Sequence, residues 1–283
     1  MDSSICFLNG SFVKKKDLKI SADDLGFSRG YAVFEHCRTY HKKLFHLKEH
    51  LIRFYEGARS LFIPINYGFD ELSHICKEVV EANDFDEVGI KIYATPGPAE
   101  IGLTPSGEPT LLINPYPLKK EPFIGFEKGL KIKTTSHQRA FPFFKTTFYL
   151  PGMIAKQENP SFDEILFLDE RKNILESTTS SFLAFDGKTL FYPNGNLLKS
   201  VTQEVLVHLA KKEFEVKKME IPLDMIQNFS EAFLASSSRE ILPIVKIDDH
   251  YHRSLESYTS SRALRKLLED YINSSNWEDL QNF

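Results

Sequence analysis

The stretch Ala140-Phe-Pro-Phe-Phe-Lys-Thr-Thr-Phe-Tyr-Leu150 sets one amine, Lys145, among four Phe and one Tyr. If those rings form a packed wall, the ammonium loses hydration and its pKa falls, which favours the neutral amine that attacks a carbonyl carbon. The same residues also read as a strand end whose lysine stem lies over aromatics while its head reaches water. The stretch stands at a junction. After it, the pattern predicts a helix over 151–157, a strand over 164–168, a turn at Asp169-Glu-Arg-Lys-Asn173 and a strand resuming over 174–185. Before it lie a strand over 129–134 and Pro115-Tyr-Pro-Leu-Lys-Lys-Glu-Pro122, whose three prolines suit an extended connector. The domain boundary is placed there, with residues 1–116 as an N-terminal domain, 117–123 as a linker and 124–283 as a C-terminal domain.

Outward from the linker, the first half alternates its periods. Two short apolar runs within 5–13 meet at Asn9-Gly10, a hairpin signal, and a second hairpin turns around His41-Lys42-Lys43. From Lys48, Leu51, Phe54, Ala58 and Leu61 fall on one helical stripe, with Arg53 off its centre. Another helix is expected within 69–82, and strands over 88–94 and 109–113. The second half continues with a helix over 201–211 and strands near 214–219, 231–235 and 241–247; no element is assigned beyond that. The arrangement is α+β or α/β: a smaller N-terminal α+β domain and a larger C-terminal domain with a mostly β core flanked by helices.

Composition narrows the function classes. The chain has 283 residues, 42% hydrophobic and 26% charged, with a formal net charge of -4. Lys and Arg are dispersed, so neither a nucleic-acid nor a membrane surface is expected. The 3 cysteines, Cys6, Cys37 and Cys76, have no Cys-x-x-Cys spacing, which argues against a zinc site or a disulfide framework, and a cytoplasmic setting is the default.

Candidate chemistry is scattered. Ser200 reads as an N-cap with Thr202 in the first helical turn, a terminus attractive to phosphate, although any capped helix looks alike. Ser236-Ser237-Ser238 could line an anion pocket or simply form a polar turn, and Arg53 could supply its cation. Glu176 opens a polar run between apolar segments, where a carboxylate could hold a ring nitrogen protonated; Tyr149 lies four residues after Lys145 and could tune it. An amine, a phenol, a carboxylate and hydroxyl-rich anion sites with an arginine are together what pyridoxal phosphate demands.

The order of these residues carries a resemblance. Phe7-Leu-Asn-Gly10, Asp23-Asp-Leu-Gly-Phe-Ser-Arg-Gly30, Val33-Phe-Glu35 and His50-Leu-Ile-Arg-Phe54 resemble the N-terminal signature of class IV (fold type IV) pyridoxal-phosphate enzymes. Lys145-Thr-Thr-Phe-Tyr-Leu150, Glu176-Ser-Thr-Thr-Ser-Ser-Phe182, Ser200-Val-Thr202 and Phe233-Leu-Ala-Ser-Ser-Ser238 continue it in order. The resemblance implies a two-domain fold type IV enzyme, homodimeric, using pyridoxal 5'-phosphate. It makes Lys145 the Schiff-base lysine, Glu176 the partner of the pyridine nitrogen, Tyr149 the partner of the ring hydroxyl, and Arg53, Val201, Thr202 and Ser237 the phosphate holders.

The activity implied is transamination between a branched-chain-like or D-amino acid and a 2-keto acid. The family also includes aminodeoxychorismate lyase, and a non-catalytic cofactor-binding homologue is a further alternative. Phe34-Glu35 fits the aminotransferase-like front better than the lyase-like one. Departures concern the substrate: Phe148, Ser181 and Gln203 stand where the family usually has Asn, Asn and Arg, and its Tyr-x-Arg carboxylate motif appears as Gly89-Ile-Lys91. Tyr31, Lys91 and Ser238 are the candidate substrate-binding residues.

Overall fold

The computed structural model describes residues 3–118, 128–277 and 280. Its contacts divide these into two compact units, one of 3–118 with Phe144–Phe148, the other of 128–143 with everything from Tyr149 onward. The sequence reading put the whole of 124–283 in the second domain; the lysine segment instead packs with the first. From 119 on, the expected linker lies outside the described residues.

The first unit is an antiparallel sheet with two helices on one face. Strands β1 (Ile5–Leu8), β2 (Ser11–Lys14), β3 (Val33–Tyr40), β4 (Lys43–Leu44), β5 (Val88–Thr95) and β6 (Thr110–Pro117) lie in the order β2-β1-β6-β5-β3-β4. Both hairpins form as expected, with Asn9, Gly10, His41 and Lys42 all at positive φ. A short helix α1 (Leu25–Arg29) precedes β3, while α2 (Leu47–Ser60) and α3 (Phe69–Glu81) cover the sheet. Leu51, Phe54, Ala58, Leu72, Cys76 and Val79 from these helices meet Val33, Cys37, Ile90 and Ile92 of the strands in one core.

Pro115 and Pro117, read as connector, belong to β6. They pair with Ile90 and Val88 of β5, whereas β1 reaches only to Ile113, so that end of β6 has a neighbour on one side. Leu118 N–H bonds the Glu87 carbonyl, which assigns the ladder bonds to the even-numbered residues and leaves the prolines at positions needing no donor.

The second unit wraps a sheet around a core. Strands β7 (Leu130–Ser136), β8 (Glu164–Leu168), β9 (Ile174–Ser177), β10 (Ser181–Phe185), β11 (Thr189–Pro193), β12 (Glu215–Met219), β13 (Glu231–Ser236), β14 (Glu240–Ile247) and β15 (Tyr251–His252) form it, in the order β12-β11-β10-β13-β14-β7-β8-β9, with β15 on β14. Because β9 also pairs β10, at Glu176 opposite Ser181, the sheet closes on itself. The strand expected over 174–185 is therefore two, broken at 178–180 by a turn in which Ser177 N–H bonds the Ser180 carbonyl. Ile132, Leu166, Phe182, Leu234 and Ile244 are among the fully enclosed residues.

Helices α4 (Leu150–Glu158), α5 (Val201–Ala210) and α6 (Ser260–Ser274) complete the second unit. Strand β11 and helix α6 have no counterpart in the sequence reading. Helix α6 buries Leu264, Leu268 and Ile272 on one stripe, and its N-terminus is capped from afar, since the buried Glu231 carboxylate accepts from the N–H groups of Thr259, Ser260 and Ser261 at 2.7–2.9 Å. Among the described residues no helix is long and apolar enough to cross a membrane.

Candidate active site

Lys145 is held by strand-like pairing rather than by its aromatic neighbours in sequence. Phe34 N–H donates to the Lys145 carbonyl at 2.8 Å, Thr146 bridges Val33, and Thr147 N–H donates to the Ala32 carbonyl at 3.2 Å. That register sets the ammonium over the Phe34 ring, 4.8 Å from its centroid. The wall expected from the local sequence is not there: Phe141, Phe143 and Phe148 are 52%, 56% and 49% exposed. The ring that matters comes from β3, which no local reading could reveal.

Arg53, read as lying off the centre of its helix stripe, is 8% exposed and grips a fully enclosed carboxylate. Its Nε and Nη2 donate to Glu35 Oε1 and Oε2 at 2.6 and 2.7 Å, and His50 donates its Nδ1–H to Oε2 at 2.8 Å. Burial would raise the Glu35 carboxyl, but the Arg53 charge and the bonds from His50 and Arg53 hold it below the carboxylate range. Burial also lowers the His50 imidazole, so this histidine is a neutral donor. Glu35 alternates with Val33 and Cys37 on the core face of β3; a carboxylate in that register demands a cation, and this signal was present in the sequence.

The opposite face of the same sheet, away from α2 and α3, carries Phe34, His36 and Arg38 of β3, in register with Tyr93, Lys91 and Gly89 of β5. Lys91 has no ion pair among the described residues; its ammonium lies 5.6 Å from the centroid of the Tyr116 ring. Tyr31 does not join this face with its polar end: its hydroxyl donates to the Leu61 carbonyl at 2.6 Å and its ring packs on the helical core.

In the second unit, Glu176 meets Arg139, a residue the sequence reading passed over. Arg139 Nε donates to Glu176 Oε1 at 2.9 Å and Nη2 to the Thr178 carbonyl at 2.7 Å. The guanidinium also lies 4.9 Å from the Tyr149 ring centroid, so one arginine unites the carboxylate and the phenol. Nothing in the sequence marks Arg139, because its partner is 37 residues away on β9.

Thr202 and Ser237 are brought together, Oγ1 to Oγ at 3.1 Å. Ser200 caps α5 by accepting from Gln203 N–H, and Glu204 N–H bonds the Ser200 carbonyl, so the N–H groups of Val201 and Thr202 precede the first intrahelical bonds. Ser237 and Ser238 sit in the turn between β13 and β14, which Arg239 fastens to Glu164, Thr179 and Ser180 at 2.7–3.1 Å. Two hydroxyls beside two helix-start donors are the groups an anion cup requires. Among the described residues no group of three or more His, Cys, Asp or Glu forms a metal cluster.

Known proteins carry the same plan. A Methanocaldococcus jannaschii protein, provisionally named a branched-chain-amino-acid aminotransferase, is 31% identical over 276 residues, covering 93% of this chain and 95% of its own. The D-alanine aminotransferase of Staphylococcus epidermidis is 28% identical, covering 95% of this chain and 98% of its own. The Escherichia coli branched-chain amino acid aminotransferase superposes with a TM-score of 0.88 at 20% identity, over 99% of this chain and 98% of that one. The T.th. branched-chain amino acid aminotransferase, solved in complex with N-(5'-phosphopyridoxyl)-L-glutamate, does so at 0.88 and 24% identity, over 97% and 95%. These two show a shared fold. The family model described as amino-transferase class IV matches residues 32–247, a span that holds Lys145, Glu176, Thr202 and Ser237, and this chain belongs to that family.

Proposed function

We propose that this protein transfers an amino group between an amino acid and a 2-keto acid, with Lys145 carrying pyridoxal 5'-phosphate. The observation that supports this most is Lys145 itself, an amine fixed in register against 32–34 and over Phe34 in a class IV aminotransferase chain. The residues present fit the cofactor. Thr202, Ser237 and the Val201 and Thr202 N–H groups would hold its phosphate, with Arg53, oriented by Glu35, adding cationic charge. Glu176 would hold a proton at the ring nitrogen, and Tyr149 would bond the ring hydroxyl.

When bound, pyridoxal phosphate supplies an electrophilic carbon for the amino group and a ring that withdraws electrons from it. Lys145, once its amine is free, would act as the base that takes the proton from the substrate Cα and as the acid that returns it on the far side of the amino nitrogen. Arg139 orients the Glu176 carboxylate through the Nε–Oε1 bond, and that carboxylate would sustain the ring proton. Lys91 would meet a substrate carboxylate, with Ser238 beside the cup as a second polar contact; Tyr31, whose hydroxyl is engaged by Leu61, supports packing instead.

Phe141, Phe143, Leu150, Met153 and Ile154 of the second unit are exposed, an apolar surface that suits a second copy of the chain; sedimentation as a monomer at micromolar concentration would refute that homodimer. The test of the function is spectral. Wild-type protein titrated with pyridoxal phosphate should gain a visible band that borohydride fixes covalently, and the band should disappear on adding an active amino donor. Lys145→Ala should lack the band and lose more than about 10³-fold in turnover. A borohydride-fixed cofactor in Lys145→Ala would sink the assignment. The donor panel should include branched-chain and D-amino acids, the classes named for the relatives, and aminodeoxychorismate, whose conversion to pyruvate and aminobenzoate would mark a lyase.

A further inference from the structure

Two turns of the second unit are tied together by a side chain that the proposed chemistry does not use. Arg239 stands in the turn that carries Ser237, and its Nη2 donates to Thr179 Oγ1 at 2.7 Å, Ser180 Oγ at 3.0 Å and Glu164 Oε2 at 3.1 Å. Thr179 and Ser180 belong to the turn that follows Glu176. Glu164 anchors the assembly: it is buried at the head of β8, and its Oε1 accepts from Thr178 Oγ1. A buried carboxylate demands a cation, and among the described residues Arg239 is the one paired with it.

The turn at Ser237 needs that support. It connects Ser236 to Glu240, which face each other in the β13–β14 register, and Glu240 has a left-handed backbone at φ 54°, where glycine is the usual residue. Such a conformation persists where the surroundings over-determine it. Arg239 N–H bonds the Ser236 carbonyl at 3.2 Å, and the guanidinium fixes the same residue from its other end. The turn at 178–180 is gripped twice. Arg139 holds its Thr178 carbonyl and, through Nε, Glu176; Arg239 holds its two hydroxyls and stands two residues from Ser237. Ser237 in its turn meets Thr202.

Resting on the cofactor site proposed above, we infer that Arg239 is a positioning residue: through Glu164 and the 178–180 turn it sets Ser237, which would hold the phosphate, at a fixed separation from Glu176, which would meet the ring nitrogen. One bound molecule must satisfy both ends at once, and its contacts are only as good as the side chains that lock them in place. Without Arg239 the Ser237 turn can shift, and the phosphate contact is lost while the ring contact stays. All three Arg239 contacts converge on one nitrogen. A lysine ammonium, with three donors on one atom but a stem one bond shorter, replaces them in part.

The experiment titrates the full chain, stripped of cofactor, with pyridoxal 5'-phosphate and with pyridoxal, which lacks the phosphate; the ratio of the two affinities isolates the phosphate contact. Arg239→Ala should cut the preference for the phosphorylated ligand about 10-fold or more, the size of one charge-assisted hydrogen bond, and Arg239→Lys should lie between it and wild type. Ser237→Ala should cut it too. Because the arginine acts through that hydroxyl, Arg239→Ala should then move the ratio less than about twofold in the Ser237→Ala background. Equal losses for both ligands, a preference unmoved by Arg239→Ala, or the same factor with and without Ser237 overturns the assignment. Arg239→Ala combined with Glu164→Gln leaves no buried carboxylate unpaired, so it decides the matter if Arg239→Ala alone does not fold. A wild type that binds pyridoxal 5'-phosphate no better than pyridoxal would refute the phosphate site and this inference together; a wild type that prefers the phosphate, with a ratio Arg239 does not move, refutes this inference alone.

Discussion

Each unit contains a glutamate held by an arginine, and the two pairs differ in kind. Glu35 and Arg53 are bound through two parallel hydrogen bonds, joined by His50, with side-chain exposures of 0% and 8%. Glu176 and Arg139 meet through Nε and Oε1, at 9% and 17% exposure, and the arginine spends other contacts on a backbone carbonyl and an aromatic ring. The first pair sits under the sheet, where each charge is tolerated only because of the other. The second sits at the sheet closure, where the carboxylate is slightly more exposed.

That contrast can be broken by removing one partner of each. Glu35→Ala leaves Arg53 buried without its carboxylate and should cost about 3–5 kcal/mol in chemical denaturation; a loss below about 1 kcal/mol would show that the pair is not structural. Glu176→Gln should leave stability nearly unchanged and instead lower kcat/KM about 10–100-fold, the equivalent of one charge-assisted hydrogen bond of about 1.5–3 kcal/mol. Equal melting temperature and equal activity in Glu176→Gln would place its carboxylate outside the chemistry.

The smallest effect concerns pH. In the unfolded chain His36 and His50 titrate near about 6.5, whereas burial lowers both in the folded protein, His36 to about 3. The unfolded state therefore binds more protons between those values, and stability should fall as pH drops from about 6.5 towards 3. Glu35, whose folded value is depressed, contributes stability above its ordinary value of about 4.3 and loses it only as pH falls further, through the folded value. His50→Gln should flatten the upper part of this decline; an unchanged slope in melting temperature between pH 6.5 and 4.5 would contradict it.

Much of the fold was legible locally. The Asn9-Gly10 turn, the period of α2 and α3 and the Ser200 cap of α5 rest on residues within a few positions of one another, and all form. The last helix shows the limit. Its stripe of Leu264, Leu268 and Ile272 is readable, but no side chain of its own caps it, and Glu231 does so from β13. The split of 174–185 was hidden for a related reason: β9 and β10 are separate because the sheet closes at 176 and 181, and closure is a property of the whole sheet.

The sequence by itself determined the alternation of elements, the family signature and the residue types that pyridoxal phosphate needs. Only the tertiary structure decided which of them meet. Phe34 rather than Phe144 or Phe148 lies under Lys145, Arg139 meets Glu176, and Tyr116 reaches His36 over Gly89. Local propensity acts over a few residues, where the chain's own geometry fixes who is near. Pairing across 37 or 80 positions depends on strand register, which is set by burying whole faces at once and leaves no mark on the individual residues it joins.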